Sequence, residues 1–401
     1  MATRRRRFAE HRKAVGYTQE TLAEALGLER ATVGRWERGT QSPLPEYRPR
    51  LAKALRITSG ELAELLDEEP PPAPLAKSPV GTARLSDLRG DEVVDSIFGA
   101  AQGFQLADRR VGGGALYPSI LQYLAHEIAP QLMMPSSGVP VHRLFSAAAS
   151  VTEIAGWMAH DSGKDDYARG HFDRAYRLAV AGRDRALAAN ACASMAHLAI
   201  ELRQPADALR IASEGLAHAG STHGTSRLIA RLHAMRARSL ALTGDRTGCC
   251  DELETADRIL GGAVLEQPAQ WIAAFDEASL ASEAALCFLQ LAELDEAERR
   301  ASQVISLRSG DRIRSRTFAK LTLARVLVHA GRIDEAALIG EEACNAATSL
   351  NSARVVHQLR ALGGALSLAP ESDQVSTFRT ALAGIASTSG ERDGSGASWP
   401  V

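Results

Sequence analysis

The chain has 401 residues, 45% apolar and 23% charged, which at roughly 100 to 200 residues per domain means two or three domains and excludes a single small one. Aromatic residues make up only 5%, so Ala, Leu, Ile and Val have to build the core. The net charge of −2 conceals an asymmetry: residues 1–66 hold 13 Lys/Arg against 8 Asp/Glu, and residues 67–401 hold 33 against 40, so only a basic head is suited to a polyanion. No run of 18 uncharged apolar residues occurs, and the N-terminal MATRRRRFAEHRKAVG breaks any signal-like stretch with charge. A cytoplasmic protein is expected. The five cysteines, Cys192, Cys249, Cys250, Cys287 and Cys344, are odd in number and show no C-x-x-C spacing, which predicts buried small residues rather than zinc or redox chemistry.

In chain order, the head (residues 1–67) opens with a basic run, Arg4 to Arg7, and a helix containing Phe8. Thr18 caps a helix whose apolar face is Leu22, Ala23 and Leu26, and Gly27 supplies the left-handed residue that stops it. Another helix restarts within three residues, with Val33 and Trp36 inward and Gly39 at its end. So tight a turn makes the second helix project, presenting Arg30, Ala31, Thr32, Arg35 and Arg38 outward. Leu51, Leu55, Leu62, Leu65 and Leu66 recur at helical spacing and complete the core with Phe8, and Thr58–Glu61 (TSGE) is a capping box that opens a last helix.

The stretch YTQETLAEALGLERATVGRWERGTQSPLP resembles the Cro/C1-type (xenobiotic-response-element) helix-turn-helix family, through Gln19, Ala23, Gly27, Val33 and the W-E-R-G of Trp36–Gly39. The resemblance implies an all-α, five-helix lambda-repressor-like domain whose helix carrying Arg30 to Arg38 enters the major groove. It implies base contacts from Arg30, Ala31, Thr32 and Arg35, with the arginines bidentate to guanine and Ala31 or the Thr32 methyl against thymine. Backbone contacts fall to Gln19, Arg38, Thr40, Gln41, Arg4 and Arg7, which set register without reading sequence. Arg12 and Glu37 match a buried ion pair joining the first helix to the third and are fold determinants, as is Trp36. Glu29 departs from the family's usual Ser or Thr cap; its carboxylate suits a helix N-terminus but would meet phosphate or a cytosine amine on DNA.

Residues 68–82 are Pro-rich, with five prolines in ten residues, and predict an extended linker. Two helices follow, Leu85–Gln105 and Ala115–Leu132, joined at Gly112, Gly113 and Gly114. These glycines lack a preceding strand and a following Lys-Ser or Lys-Thr, so they predict a flexible connector rather than a phosphate loop.

From about residue 145, Ala- and Leu-rich segments alternate with short turns whose equivalent positions are Gly163, Arg203, Gly244, Ala292 and Gly331, at spacings of 40, 41, 48 and 39. Five residues after each comes Ala168, Ala208, Cys249, Ala297 or Ala336, small enough for two helices of a pair to approach closely. This resembles tetratricopeptide-like repeats with a longer period. Val356–Ser387 is expected to cap the stack, giving a repeat domain over residues 83–387, and residues 388–401 are expected to be a disordered tail.

Ten of the eleven histidines lie in this part, but His126 and Glu127 are followed by Ile128 and Ala129 rather than completing H-E-x-x-H, and no G-x-S-x-G occurs. His160, His197 and His233 are expected on core or surface positions, and no catalytic residue, metal site or cofactor is assigned; an enzyme is not expected. The segment AGWMAHDSG, residues 155–163, resembles one recurring in actinobacterial regulators of this architecture, and its Trp157 is expected between repeats. The resemblances together imply a sequence-specific transcriptional regulator on a double-stranded DNA operator, working as a homodimer, with a peptide or small-molecule effector in the groove of the repeats. The rival is an interaction scaffold or adaptor whose basic head contacts another protein.

Overall fold

The computed structural model describes residues 6–37, 43, 47–55, 57, 62, 66, 84–220, 224–263, 275–308, 312–370 and 372–390, and all regular structure among them is helical. The chain divides into two compact units, Met1–Ala76 and Lys77–Val401. The Pro-rich stretch 68–82 lies outside the described residues, as does everything after Gly390.

The first unit contains α1 (Arg6–Ala14), α2 (Gln19–Leu26), α3 (Arg30–Glu37) and α4 (Arg48–Leu55). Phe8, Leu22, Leu26, Val33, Trp36, Leu51, Leu55, Leu62 and Leu66 are all buried in one core. Leu65 and the TSGE capping box of the expected fifth helix fall outside the described residues.

The second unit starts with α5 (Asp91–Val111) and α6 (Gly113–Tyr123), the latter running through a π-helical turn at Leu124–Ile128 into α7 (Ala129–Met133). Helical hairpins follow: α8 (Val141–Asp161) with α9 (Asp165–Ala181), α10 (Arg185–Glu201) with α11 (Pro205–Ala219), and α12 (Ser226–Leu242) with α13 (Arg246–Gly262). Two more hairpins are α14 (Glu277–Gln290) with α15 (Leu294–Leu307) and α16 (Ile313–His329) with α17 (Ile333–Ala347), before α18 (Ala353–Leu366) and α19 (Asp373–Gly390). Each of the five turn positions is left-handed: Gly163 (φ 73°), Arg203 (58°), Gly244 (79°), Ala292 (61°) and Gly331 (73°). Two of them hold a residue with a Cβ, at a backbone cost that packing on both sides has to offset. Ala168, Ala208, Cys249, Ala297 and Ala336 are each fully buried in the hairpin they close. The eight-residue excess in the 48-residue spacing is accommodated between Gly262 and Glu277.

Outer helices bury one stripe; on α9 it is Ala168, Phe172, Ala175 and Ala179. Inner helices are enclosed much more completely. On α10, buried residues run from Ala186 to Ile200 with only Met195 and His197 partly exposed, and the helix is accordingly rich in Ala. Aspartates start several of these helices: Asp184, Asp245 and Asp276 accept from the backbone N–H of Leu187, Gly248 and Ser279, each at 2.9 Å. Cys192, Cys249, Cys287 and Cys344 are buried free thiols and Cys250 is half-buried.

The ends of the stack meet. Arg314 at the start of α16 forms a two-pronged pair with Asp108 of α5 (2.6 and 3.0 Å) and reaches Asp161 of α8 at 3.2 Å. Asp161 also accepts from Ser352 Oγ (2.6 Å) and from Gly113 N (2.9 Å). Burial opposes the Arg314 charge, but Asp108 and Asp161 outweigh it and hold its proton more tightly than usual. The glycines at 112–114 are therefore no flexible connector: Gly112 and Gly113 are buried, Gly114 N donates to Asn351 O (3.3 Å), and a Cβ on Gly113 would lie 2.8 Å from Met158 Cα. That close approach of backbones is what glycine is needed for here. The first of the two flanking helices begins at Asp91 rather than Leu85, because Gly90 at φ 56° precedes it.

Asp161→Ala removes an acceptor shared by three donors and leaves Arg314 to Asp108 alone. A loss of about 3 kcal/mol is expected, read as a lower urea midpoint for the C-terminal unit; an unchanged midpoint would show that closure contributes no stability.

Candidate nucleic-acid interface

The geometry of the head starts at Thr18. Its hydroxyl accepts from Thr21 N at 3.1 Å while Thr21 Oγ1 accepts from Thr18 N at 2.9 Å, a reciprocal cap with threonine in the role usually taken by Glu or Gln. Gly27, at φ 71°, stops α2, and Leu28 N returns to Ala23 O at 2.9 Å. The chain then needs only Leu28 and Glu29 to reach α3, so α2 and α3 are held at a fixed angle by Leu22, Ala23, Leu26, Val33 and Trp36.

A buried ion pair sets the rest. Arg12, only 4% exposed, places Nε 2.7 Å from Glu37 Oε1 and donates through Nη1 to Tyr17 O at 2.5 Å. The expected link from the first helix to the third is therefore present. The second oxygen of Glu37 accepts from Gln19 Nε2 at 2.5 Å. Gln19 is thus tied to the ion pair that joins α1 and α3, with its stem half-buried at the start of α2. His11 Nε2 lies 3.2 Å from Leu55 O and connects α1 to α4.

With Val33 and Trp36 turned inward, the opposite face of α3 is Arg30, Ala31 and Arg35, all exposed, with half-buried Thr32 beside them. Arg35 Nη2 donates to Thr32 Oγ1 at 2.9 Å, one turn back along the helix. Glu29 is exposed and its carbonyl accepts from Thr32 N at 2.9 Å, so it enters the helix as a backbone cap. Lys13, Tyr17, Thr18, Gln19 and Arg30 border a concavity of ≈ 450 Å³ where α1, α2 and α3 converge. Gln19 and Arg30 were legible from the sequence as members of this surface; Lys13 was not, and its position one residue after the buried Arg12 is the signal that places it on the rim. Four other expected backbone contacts, Arg4, Arg38, Thr40 and Gln41, lie outside the described residues; Arg7 is within α1, with its side chain outside them.

A surface that presents a row of exposed arginines on a helix braced from behind is suited to a polyanionic groove. Among the described residues no group of three or more His, Cys, Asp or Glu converges as a metal site, and no helix is long and apolar enough to cross a membrane. Arg12→Ala strands the Glu37 carboxylate and is expected to destabilise the head by about 3 kcal/mol, whereas Arg12→Met combined with Glu37→Leu restores most of the loss. Thermal unfolding of the three variants checks this.

Comparison with known proteins agrees with this geometry. The Helix-turn-helix family model matches residues 8–62. An uncharacterized HTH-type transcriptional regulator of Methanothermobacter thermautotrophicus is 43% identical over 60 residues, covering 15% of this chain and 87% of that protein. The uncharacterized HTH-type transcriptional regulator YazB of Bacillus subtilis is 41% identical over 58 residues, 14% of this chain and 84% of its own length. Both are similar to the head alone, and it is by residues 8–62 that the chain belongs to the Cro/C1-type helix-turn-helix family of transcriptional regulators.

Proposed function

We propose that the chain is a sequence-specific DNA-binding regulator in which α3 lies in the major groove and the helical stack, a tetratricopeptide-like array, senses an effector or mediates homodimerisation. One observation carries the reading: Arg30, Ala31 and Arg35 share an exposed face of a helix whose other face is locked into the core by Val33 and Trp36. In this reading Arg30, Ala31, Thr32 and Arg35 touch base edges. The hydrogen bond from Arg35 to Thr32 pre-sets the guanidinium before binding, which lowers the entropy lost on contact. Gln19, Arg38, Thr40, Gln41, Arg4 and Arg7 touch backbone, with the Gln19 amide oriented by Glu37. A two-fold assembly puts recognition helices about 34 Å apart and half-sites about 10 bp apart, or a multiple of it. The stack supports the effector part of the reading through its enclosed, charged interior.

Genomic fragments selected on the full-length protein are expected to share an inverted repeat. Arg30→Ala or Arg35→Ala should each cost about 1 to 3 kcal/mol on that site and relax preference at one base position. Lys13→Ala, by contrast, should weaken all sequences alike and flatten the salt dependence by about one phosphate contact. Selection of no sequence, or the same selection by the Arg30→Ala/Arg35→Ala protein, would favour the scaffold reading instead.

A further inference from the structure

Charged side chains from the inner helices converge within the stack, and their pairing is unequal. Every carboxylate there is engaged. Glu153 accepts from Trp157 Nε1 (2.7 Å) and Ser194 Oγ (2.6 Å), Glu283 takes Arg238 Nη1 (2.6 Å), and Glu201 is shared between Arg238 (3.4 Å) and Arg354 (3.5 Å). The arginines are not all matched in return. Arg231 donates to neutral acceptors, Asn190 Oδ1 at 2.9 Å and Ser194 Oγ at 3.2 Å, lies over the Trp157 ring at 5.6 Å, and has Glu153 and Glu283 as the carboxylates that favour its charge. Arg203 reaches the neutral Gln290 Oε1 at 3.0 Å. Arg325 of α16 has no ion pair and no hydrogen bond from its guanidinium among the described residues, although it is half-buried and faces Arg203, Arg238 and Glu201. Its charge is disfavoured first by burial and then by Arg203 and Arg238.

A half-buried guanidinium that faces two like charges, with Glu201 already shared between Arg238 and Arg354, is costly, and arginine cannot escape by losing its proton. An anion that spans Arg325 and its neighbours removes the cost and gains charge-assisted, bidentate hydrogen bonds. Solvent reaches the place: the side chains of Glu201 and Arg354 remain 27% and 20% exposed and that of Arg238 10%. The inner helices around it, α10 above all, are buried on nearly every side. We propose that the interior of the stack is a binding site for a small anion bearing carboxylate or phosphate groups, seated on Arg325 and reaching Arg203. The proposal rests on the effector reading above only for its regulatory meaning.

The test is thermal unfolding of the full-length protein with inorganic phosphate, pyrophosphate or citrate, against sodium chloride at matched ionic strength. A saturable rise in Tm is expected, from pyrophosphate alone if phosphate groups are selected, from citrate alone if carboxylates are, and from both if charge suffices. Arg325→Gln loses no hydrogen bond, so its ligand-free Tm should equal or exceed the parent's, and its apparent affinity for the anion should fall at least tenfold. Arg325→Lys should keep part of the rise, and Arg177→Gln, on the exposed surface of α9, should keep all of it. Should Arg325→Gln fail to fold, Arg203→Gln at the exposed rim must weaken the rise. No rise above the chloride control, or an equal rise in the Arg325 or Arg203 variant, overturns the site. DNA selection by the same preparations is scored separately, so a protein that selects no DNA yet shows the anion response loses the regulator reading and keeps this one.

Discussion

A helix approached by neighbours on all sides needs small side chains at many of its positions, and the packing of the inner helices of the C-terminal unit depends on that condition. Helix α10 meets it with Ala at most of its buried positions, and Cys192 and Ser194 fill two of the others. Where even alanine is too large, glycine takes over: a Cβ on Gly156 of α8 would stand 2.4 Å from the Phe172 ring. Close approach multiplies weak dispersion contacts in place of the large aromatic side chains that this composition lacks. It also explains the fully buried small residue that follows each left-handed turn, since the second helix of each hairpin must begin in contact with the first.

Enclosure has an electrostatic consequence. Polar groups on the inner helices cannot turn outward, so they have to satisfy one another. Glu153, Trp157 and Ser194 bond one another, and Asp161 gathers its donors across the closing seam. His160 and His197 adapt by staying uncharged: burial lowers both below the ordinary histidine range, and each keeps a buried Nε2 without a partner among the described residues. The arginines have no such escape, and the imbalance that results is concentrated at Arg325. In the head, Glu37 divides its two oxygens between Arg12 and Gln19.

The segment at residues 155–163 shows how several demands are met in nine residues. Gly156 admits Phe172, Trp157 packs against His160, Phe172 and His197, Asp161 closes the stack, and Gly163 makes the turn. The expectation that Trp157 lies between repeats was correct in kind, and Arg231 over its ring extends the contact to a third hairpin. A different expectation failed because its logic was local. Three successive glycines resemble a flexible joint whenever their surroundings are unknown, and here Met158 and Asn351 press against them.

What the sequence determined by itself was everything of short range. The cap at Thr18, the stop at Gly27, the buried apolar positions of the head, the outward row from Arg30 to Arg35, and the turn positions of the repeats follow from helical periodicity and backbone stereochemistry within a few residues. The Arg12–Glu37 pair came from family resemblance, since 25 residues separate its partners. Only the tertiary structure decided that the stack closes on itself, through contacts between residues 153, 191 and 206 positions apart. It alone placed Arg325, with no acceptor for its guanidinium among the described residues, beside Arg203, Arg238 and Glu201. Neither fact has a local signature, because the small rotation between one hairpin and the next is too slight to read from any one repeat, and only its accumulation brings the ends together.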